Sequence, residues 1–319
     1  MDCIYETLSI QIPNLTIKEI FGCNGIANSI VSFKYAGEWF DIIDGRGMGN
    51  PIEIVQSLNI PFSIYSLDDF WGCKSKENIL IFASKDLFSQ YKNINLSYKQ
   101  LLFFYSCFYV DKQKDNEVTL KVVRDDTEYV MRKEDLEKIY SVSTFPLERP
   151  IYIIKIEDTS YMLDDVHIKK SLLDKVNIFL GNNVETDELR IKITGSNMYD
   201  ELAKRIKNRC DKWDKMSIMK QNFLIASLNA GSVGLYRREF ADSLSEVLGM
   251  DNNEVCGNFR KSANAWREIG RELAYFQSSN VQISEECKNY ILPIIEEIKN
   301  LEMKSMKIVR NYLIGDLKR

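Results

Sequence analysis

Seven cysteines and a single histidine carry most of the chemical potential of this chain. Cys3 stands out by position. Cys3 to Gln11 reads as a short helix closed by Pro13, so the thiol sits at a helix onset. Free backbone N–H groups and the positive end of the helix dipole favour a thiolate there. A thiolate in that setting suits nucleophilic acyl transfer. The plainer reading of the same residue is a cysteine buried on an apolar helix face. A thiol nucleophile is normally activated by a base, and the only imidazole is His167. It lies in Asp164-Asp-Val-His-Ile-Lys-Lys170, at the start of the first helix of the C-terminal half.

Other candidates are weaker. Gly45-Arg-Gly-Met-Gly49 falls between a strand and a helix, where backbone N–H groups can cradle phosphate. The third glycine of a dinucleotide fingerprint would fall at position 50, which is Asn, and no Gly-Lys-Ser/Thr follows. A tight turn is the better reading, and no cofactor is expected. The cysteines at 3, 23, 73, 107, 210, 256 and 287 contain no Cys-x-x-Cys pair, which argues against a zinc site and a disulfide framework. No metal is expected. The acidic pairs Asp125/Asp126, Asp164/Asp165 and Glu296/Glu297 are adjacent residues that point in different directions, so solvated charge is their default.

The 319 residues are enough for two domains, and 45% hydrophobic with 28% charged residues is a globular composition. A net charge of −4 makes nucleic acid an unlikely general partner. No apolar run approaches the roughly 18–20 residues of a membrane span, and Met-Asp-Cys-Ile-Tyr-Glu does not read as a secretory signal. With the scattered cysteines, this predicts a cytoplasmic protein without membrane partners. Basic residues near the C-terminus, from Lys299 to Arg319, alternate with apolar ones and read as a solvated helix face.

The elements that must position these residues divide near residue 160. Thr16-Ile-Lys-Glu19 is a capping box opening a second helix, which the glycines of Phe21-Gly-Cys-Asn-Gly25 interrupt. Strands are expected at 38–44, 60–66, 78–84, 101–110, 117–124 and 150–157, with a helix from Pro51 to Leu58. The apolar run Leu101–Val110, the polar turn 111–116 and Glu117–Val123 form a β-hairpin. From about Leu163 the apolar period becomes helical, with helices at 165–180, 196–213, 217–229, 235–249, 252–277 and 283–313. In the fifth of these, Val255, Phe259, Ala263, Trp266, Ile269, Leu273 and Phe276 form one stripe; in the last, Ile291, Ile294, Ile298, Leu301, Ile308 and Tyr312 do.

Two stretches together resemble the butirosin biosynthesis protein H family. The N-terminal part is Asp2-Cys3 with Leu8, then Ile20-Phe-Gly-Cys-Asn-Gly25 with Phe33 and Tyr35, Ile79–Asp86 and the hairpin at 101–123. The C-terminal part is Ala230-Gly-Ser-Val-Gly-Leu-Tyr-Arg-Arg-Glu-Phe-Ala-Asp242 and Ala263-Asn-Ala-Trp-Arg-Glu-Ile269. The resemblance implies an α+β fold: a papain-like domain with a mostly antiparallel sheet over 1–160, then an all-α helical domain over 161–319. It implies transfer of an acyl or aminoacyl group from a carrier-protein thioester to an amine, in specialised metabolite biosynthesis, by a Cys–His–Asp set. Cys3 matches the nucleophile, and Asp125 or Asp126 the aspartate, though without the family's following proline. The family's histidine falls among Gln100, Leu101, Leu102, Phe103 and Phe104, none of which is histidine. His167 is then the alternative base. A catalytically degenerate homologue binding a carrier protein or biosynthetic enzyme, and an unrelated small-molecule binder, are the competing readings. The partners expected are an acyl carrier protein or other thioester donor and an amine acceptor, with a homodimer left open.

Overall fold

Alternating apolar residues in the N-terminal half and a three-to-four-residue apolar period in the C-terminal half produce ten helices and ten strands among the described residues. The computed structural model describes residues 3–35, 38–46, 51–83, 106–122, 125–140, 151–186, 188, 190–207, 224, 228, 233–250, 253–278 and 285–318. The chain forms two compact units, one of residues 1–20 and 50–163, the other of residues 21–49 and 164–319.

The first unit is built on a six-stranded sheet in which every neighbour is antiparallel, ordered β3-β8-β4-β5-β6-β7. Its strands are β3 (Phe62–Ile64), β4 (Ile79–Ala83), β5 (Ser106–Lys114), β6 (Glu117–Val122), β7 (Asp125–Arg132) and β8 (Ile151–Ile156). β4 is buried along its whole length. Ile79, Ile81 and Ala83 join Phe108, Val118, Leu120, Ile151 and Ile153 in one core, and Leu80 and Phe82, facing the other way, are buried too. Such a run cannot alternate, because both faces are covered. The expected hairpin is present, with a tighter turn: Lys114 pairs with Glu117, leaving Asp115-Asn116 as a two-residue loop with Asp115 at φ 48°. Asp and Asn tolerate that backbone, so polar residues 111–114 extend the strand.

Among the described residues, four helices accompany this sheet: α1 (Cys3–Gln11), α3 (Pro51–Ser57), α4 (Leu67–Gly72) and α5 (Lys133–Tyr140). α1 packs on β5 and α5 on β7. Tyr5, Leu8 and Ile12 recur on the buried side of α1 and its exit, whereas Ile10 faces solvent. Between them in sequence and the next segment runs α2 (Ile17–Asn24), opened by the expected box: Thr16 N–H donates to Glu19 Oε2 at 2.7 Å and Glu19 N–H to Thr16 Oγ1 at 3.1 Å. Gly22 lies within α2; Gly25, at φ 60° with its N–H on the Phe21 carbonyl, ends it.

The second unit corrects the expectation of an all-α domain over 161–319. It contains a four-stranded antiparallel sheet, ordered β2-β1-β10-β9. β1 (Ile26–Tyr35) and β2 (Glu38–Arg46) come from the N-terminal region, β9 (Asn182–Thr186) and β10 (Arg190–Gly195) from the C-terminal one. A domain boundary drawn at 160 would therefore separate β1 from its ladder partner β10, which pairs Ser29 with Thr194 through Phe33 with Arg190. Among the described residues the unit also holds α6 (Asp165–Leu180), α7 (Asn197–Lys207), α8 (Val233–Glu246), α9 (Asn253–Ser278) and α10 (Glu285–Asp316). α7 packs on β1 and β10, α8 on β2, and α10 on α9, α6 and α7. The helix expected at 217–229 lies largely outside the described residues, although Leu224 and Leu228 are helical and buried.

Glycine allows a close approach between α8 and α9. A Cβ at Gly234 of α8 would stand 2.6 Å from the Ala263 carbonyl oxygen of α9. No helix among the described residues is long and apolar enough to cross a membrane.

Candidate functional site

Cys3 is the first residue of α1, whose buried residues fix the helix against β5. The Cys3 side chain lies outside the described residues, as do the side chains of Asp125 and Asp126 and the whole of the 100–104 segment. Asp125 opens β7 and pairs through its backbone with Val122. Cys3 and Asp125 both belong to the first unit, and His167 to the second. His167 lies in the first turn of α6, half-buried, behind the N-cap Asp164, whose carboxylate accepts from Val166 N–H at 3.3 Å. Gly45–Gly49 is only partly described: β2 runs on through Arg46, and residues 47–50 lie outside.

Sequence reasoning missed the most heavily bonded residue of the second unit. Glu302 of α10 is fully buried, and six donors converge on its carboxylate. Arg237 of α8 donates Nε to Oε1 at 3.0 Å and Nη2 to Oε2 at 3.1 Å. Trp266 Nε1–H of α9 donates to Oε1 at 3.0 Å, and Ser262 Oγ of the same helix donates a short bond to Oε1. Tyr199 of α7 donates to Oε2 at 2.6 Å, and Asn28 Nδ2 of β1 to Oε2 at 3.1 Å and also to the Tyr199 oxygen. Five elements meet at one carboxylate. A one-residue shift of register between β1 and β2 at Ile26–Ser29 brackets Asn28, and a bulge there re-aims side chains.

Burial pushes the Glu302 carboxyl up, but the Arg237 charge and the bonds from Arg237, Ser262 and Tyr199 outweigh it and hold the group below its ordinary value. Burial, and after it the Glu302 charge, pushes the Tyr199 hydroxyl far up, so it stays a donor. Such a sealed, saturated carboxylate is a structural clasp; it offers no open valence to a substrate. Its signal in the sequence was an acid on a buried stripe. The buried side of α10 is Ile291, Ile295, Ile298, Glu302, Met306, Val309 and Leu313, displaced by about one residue from the expected Ile294, Leu301, Ile308 and Tyr312. Arg237 of α8 and Trp266 of α9, from two separate helices, thus converge on Glu302.

Three basic residues of α10 have local partners. Lys299 bonds Asp200 at 2.6 Å, Lys304 bonds Glu254 at 2.5 Å, and Arg310 bonds Asn177 at 2.9 Å. Among the described residues no group of three or more His, Cys, Asp or Glu side chains is arranged to hold a metal ion. No protein-family model matches the chain, and no curated protein matches it either.

Proposed function

We propose that the protein is a cysteine-dependent acyltransferase, in which Cys3 takes an acyl or aminoacyl group from a carrier-protein thioester and passes it to an amine in the cytoplasm. The observation that carries this reading is the placement of α1: a helix that opens on a cysteine lies against β5 of an antiparallel sheet. That is the arrangement a papain-like nucleophile requires, with helix N–H groups at the thiol and a strand behind it. Asp125, at the start of β7 in the same unit, supports the aspartate position. Transfer from an activated thioester is less demanding than amide hydrolysis, so it tolerates a weaker base.

The base is the open element. A general base contributes about 10²–10⁴ in rate, and an unassisted thiol is only about a few per cent thiolate at neutral pH. Residues 100–104 hold no histidine, and His167 belongs to the other unit. That observation favours a second reading, a degenerate homologue that binds a carrier protein without chemistry. The two separate in one assay. Incubation with acyl N-acetylcysteamine thioesters and a panel of amines yields amide product above the uncatalysed rate, lost in Cys3→Ala, if the transferase reading holds. Product formation equal in the wild type and the variant contradicts it.

A further inference from the structure

One row of apolar residues in the second unit runs off the edge of its sheet. Ile43 of β2 pairs with Ile30 of β1, Ile30 with Ile193 of β10, and Ile193 with Val184 of β9. Directly paired residues of a ladder point to the same face, so the four stand side by side. Burial declines along the row: Ile43 and Ile30 are buried, Ile193 is half-buried and Val184 is 59% exposed. β9 is exposed at every position, yet it is held in place. Its ladder with β10 runs without a register shift, and Asn182 Oδ1 accepts from Asn197 N–H at 3.2 Å.

The other edge strands are blunted against pairing with a foreign strand. β3 has only three residues, and β2 and β7 each meet their neighbour with a register shift, at Ile26–Ser29 and Lys121–Val122. β9 has neither device, and Asn182-Asn-Val-Glu-Thr186 contains no lysine and no proline. A second β9 fits this edge in one register. Two-fold antiparallel pairing must centre on a residue, because outward-facing backbone groups pair only with outward-facing ones. Centred on Glu185, it would set two carboxylates directly opposite each other, which is unfavourable. Centred on Asn183, it would pair residues 182–184 alone. Centred on Val184, it pairs the whole strand: Val184 with its own copy, Asn183 with Glu185 of the second copy, and Asn182 with Thr186. The Asn183 amide is then a donor facing a carboxylate.

We propose that β9 is a homodimer contact, pairing with β9 of a second copy about Val184 so that the two four-stranded sheets join into one. The apolar row from Ile43 to Val184 then continues through Val184, Ile193, Ile30 and Ile43 of the second copy. The join covers the exposed Val184 and gives the outward backbone groups of β9 their partners. The contact is isologous, so it closes at two subunits. It makes no use of Cys3 and is independent of the transferase reading.

Sedimentation velocity of the full chain across a range of concentrations reads the association. The wild type should pass from monomer to dimer as concentration rises. Val184→Glu sets two carboxylates opposite each other at the centre and should weaken association by about tenfold. Asn183→Lys sets an ammonium opposite each Glu185 and should strengthen it by about tenfold. Both positions are exposed, so neither change burdens the fold. A wild type that stays monomeric throughout, a result that needs no variant, overturns the proposal. So does a dimer whose association is the same in both variants, which would put the contact on another surface. A monomer that instead binds an extended synthetic peptide of unrelated sequence would assign the edge to a different chain and overturn the second copy as its occupant.

Discussion

The two units spend their ionisable residues in opposite ways. In the second, Glu302 draws six donors from four other elements, and every partner is buried. In the first, polar chemistry lies at helix ends and turns: Cys3 at the onset of α1, Asp125 at the start of β7, Cys73 and Lys76 after α4. A saturated carboxylate holds structure together because nothing can be added to it. The difference sets one saturated, buried carboxylate in the second unit against groups at helix onsets and turns in the first.

That contrast breaks first at the clasp. Glu302→Ala takes the carboxylate partner from the buried Arg237 guanidinium and should cost about 3–5 kcal/mol of stability, read as a lowered urea midpoint. The pair Arg237→Met with Glu302→Leu should recover only part of this. The donors on Tyr199, Trp266 and Ser262 would remain unsatisfied, at about 1–3 kcal/mol for each one buried. Full recovery would show that the ion pair alone matters and that the surrounding donors do not.

A smaller effect is expected where α8 meets α9. Gly234→Ala forces a methyl group against the Ala263 carbonyl oxygen, and overpacking of this kind costs about 1–3 kcal/mol. An unchanged melting temperature would mean the two helices separate freely there.

The pH dependence follows from the depressed Glu302 carboxyl. A group with a folded value below its unfolded one contributes stability that is complete above the ordinary glutamate value of 4.5 and is lost as pH falls through the lower, folded value. Urea midpoints measured downward from pH 7 should therefore drop below about pH 4.5, and Glu302→Gln should flatten that limb. An identical limb in Glu302→Gln would place the acid sensitivity elsewhere. Smallest of all, Asp164→Ala removes the N-cap of α6 and should cost about 1 kcal/mol, visible as a small shift in the urea midpoint.

What the sequence disclosed depended on how local the determinant was. α6 spans Asp165–Leu180 as its period required, and α9 carries its stripe from Val255 to Leu273 on the buried side. The hairpin of β5 and β6 was legible because its partners are neighbours in the chain. β1 was not: Ser29 finds its ladder partner at Thr194, and the polar Asn28, Ser29 and Ser32 hide its buried face. β9 is exposed along its length, so it carries no apolar alternation at all. Glu302 was missed because a carboxylate reads as a solvent-facing residue, and that displaced the inferred stripe of α10 onto Leu301. Cys3 stood out through its helix onset, a local signal, whereas the donors around Glu302 come from elements far apart in the chain.

Intact-mass analysis of the wild type and of Cys3→Ala, after exposure to a panel of acyl thioesters, tests the central claim most directly. Cys3 as an acyl-accepting nucleophile predicts a donor-dependent mass gain, a part of which disappears in Cys3→Ala and maps to that residue. Equal adducts in both proteins, or none in either, would contradict it.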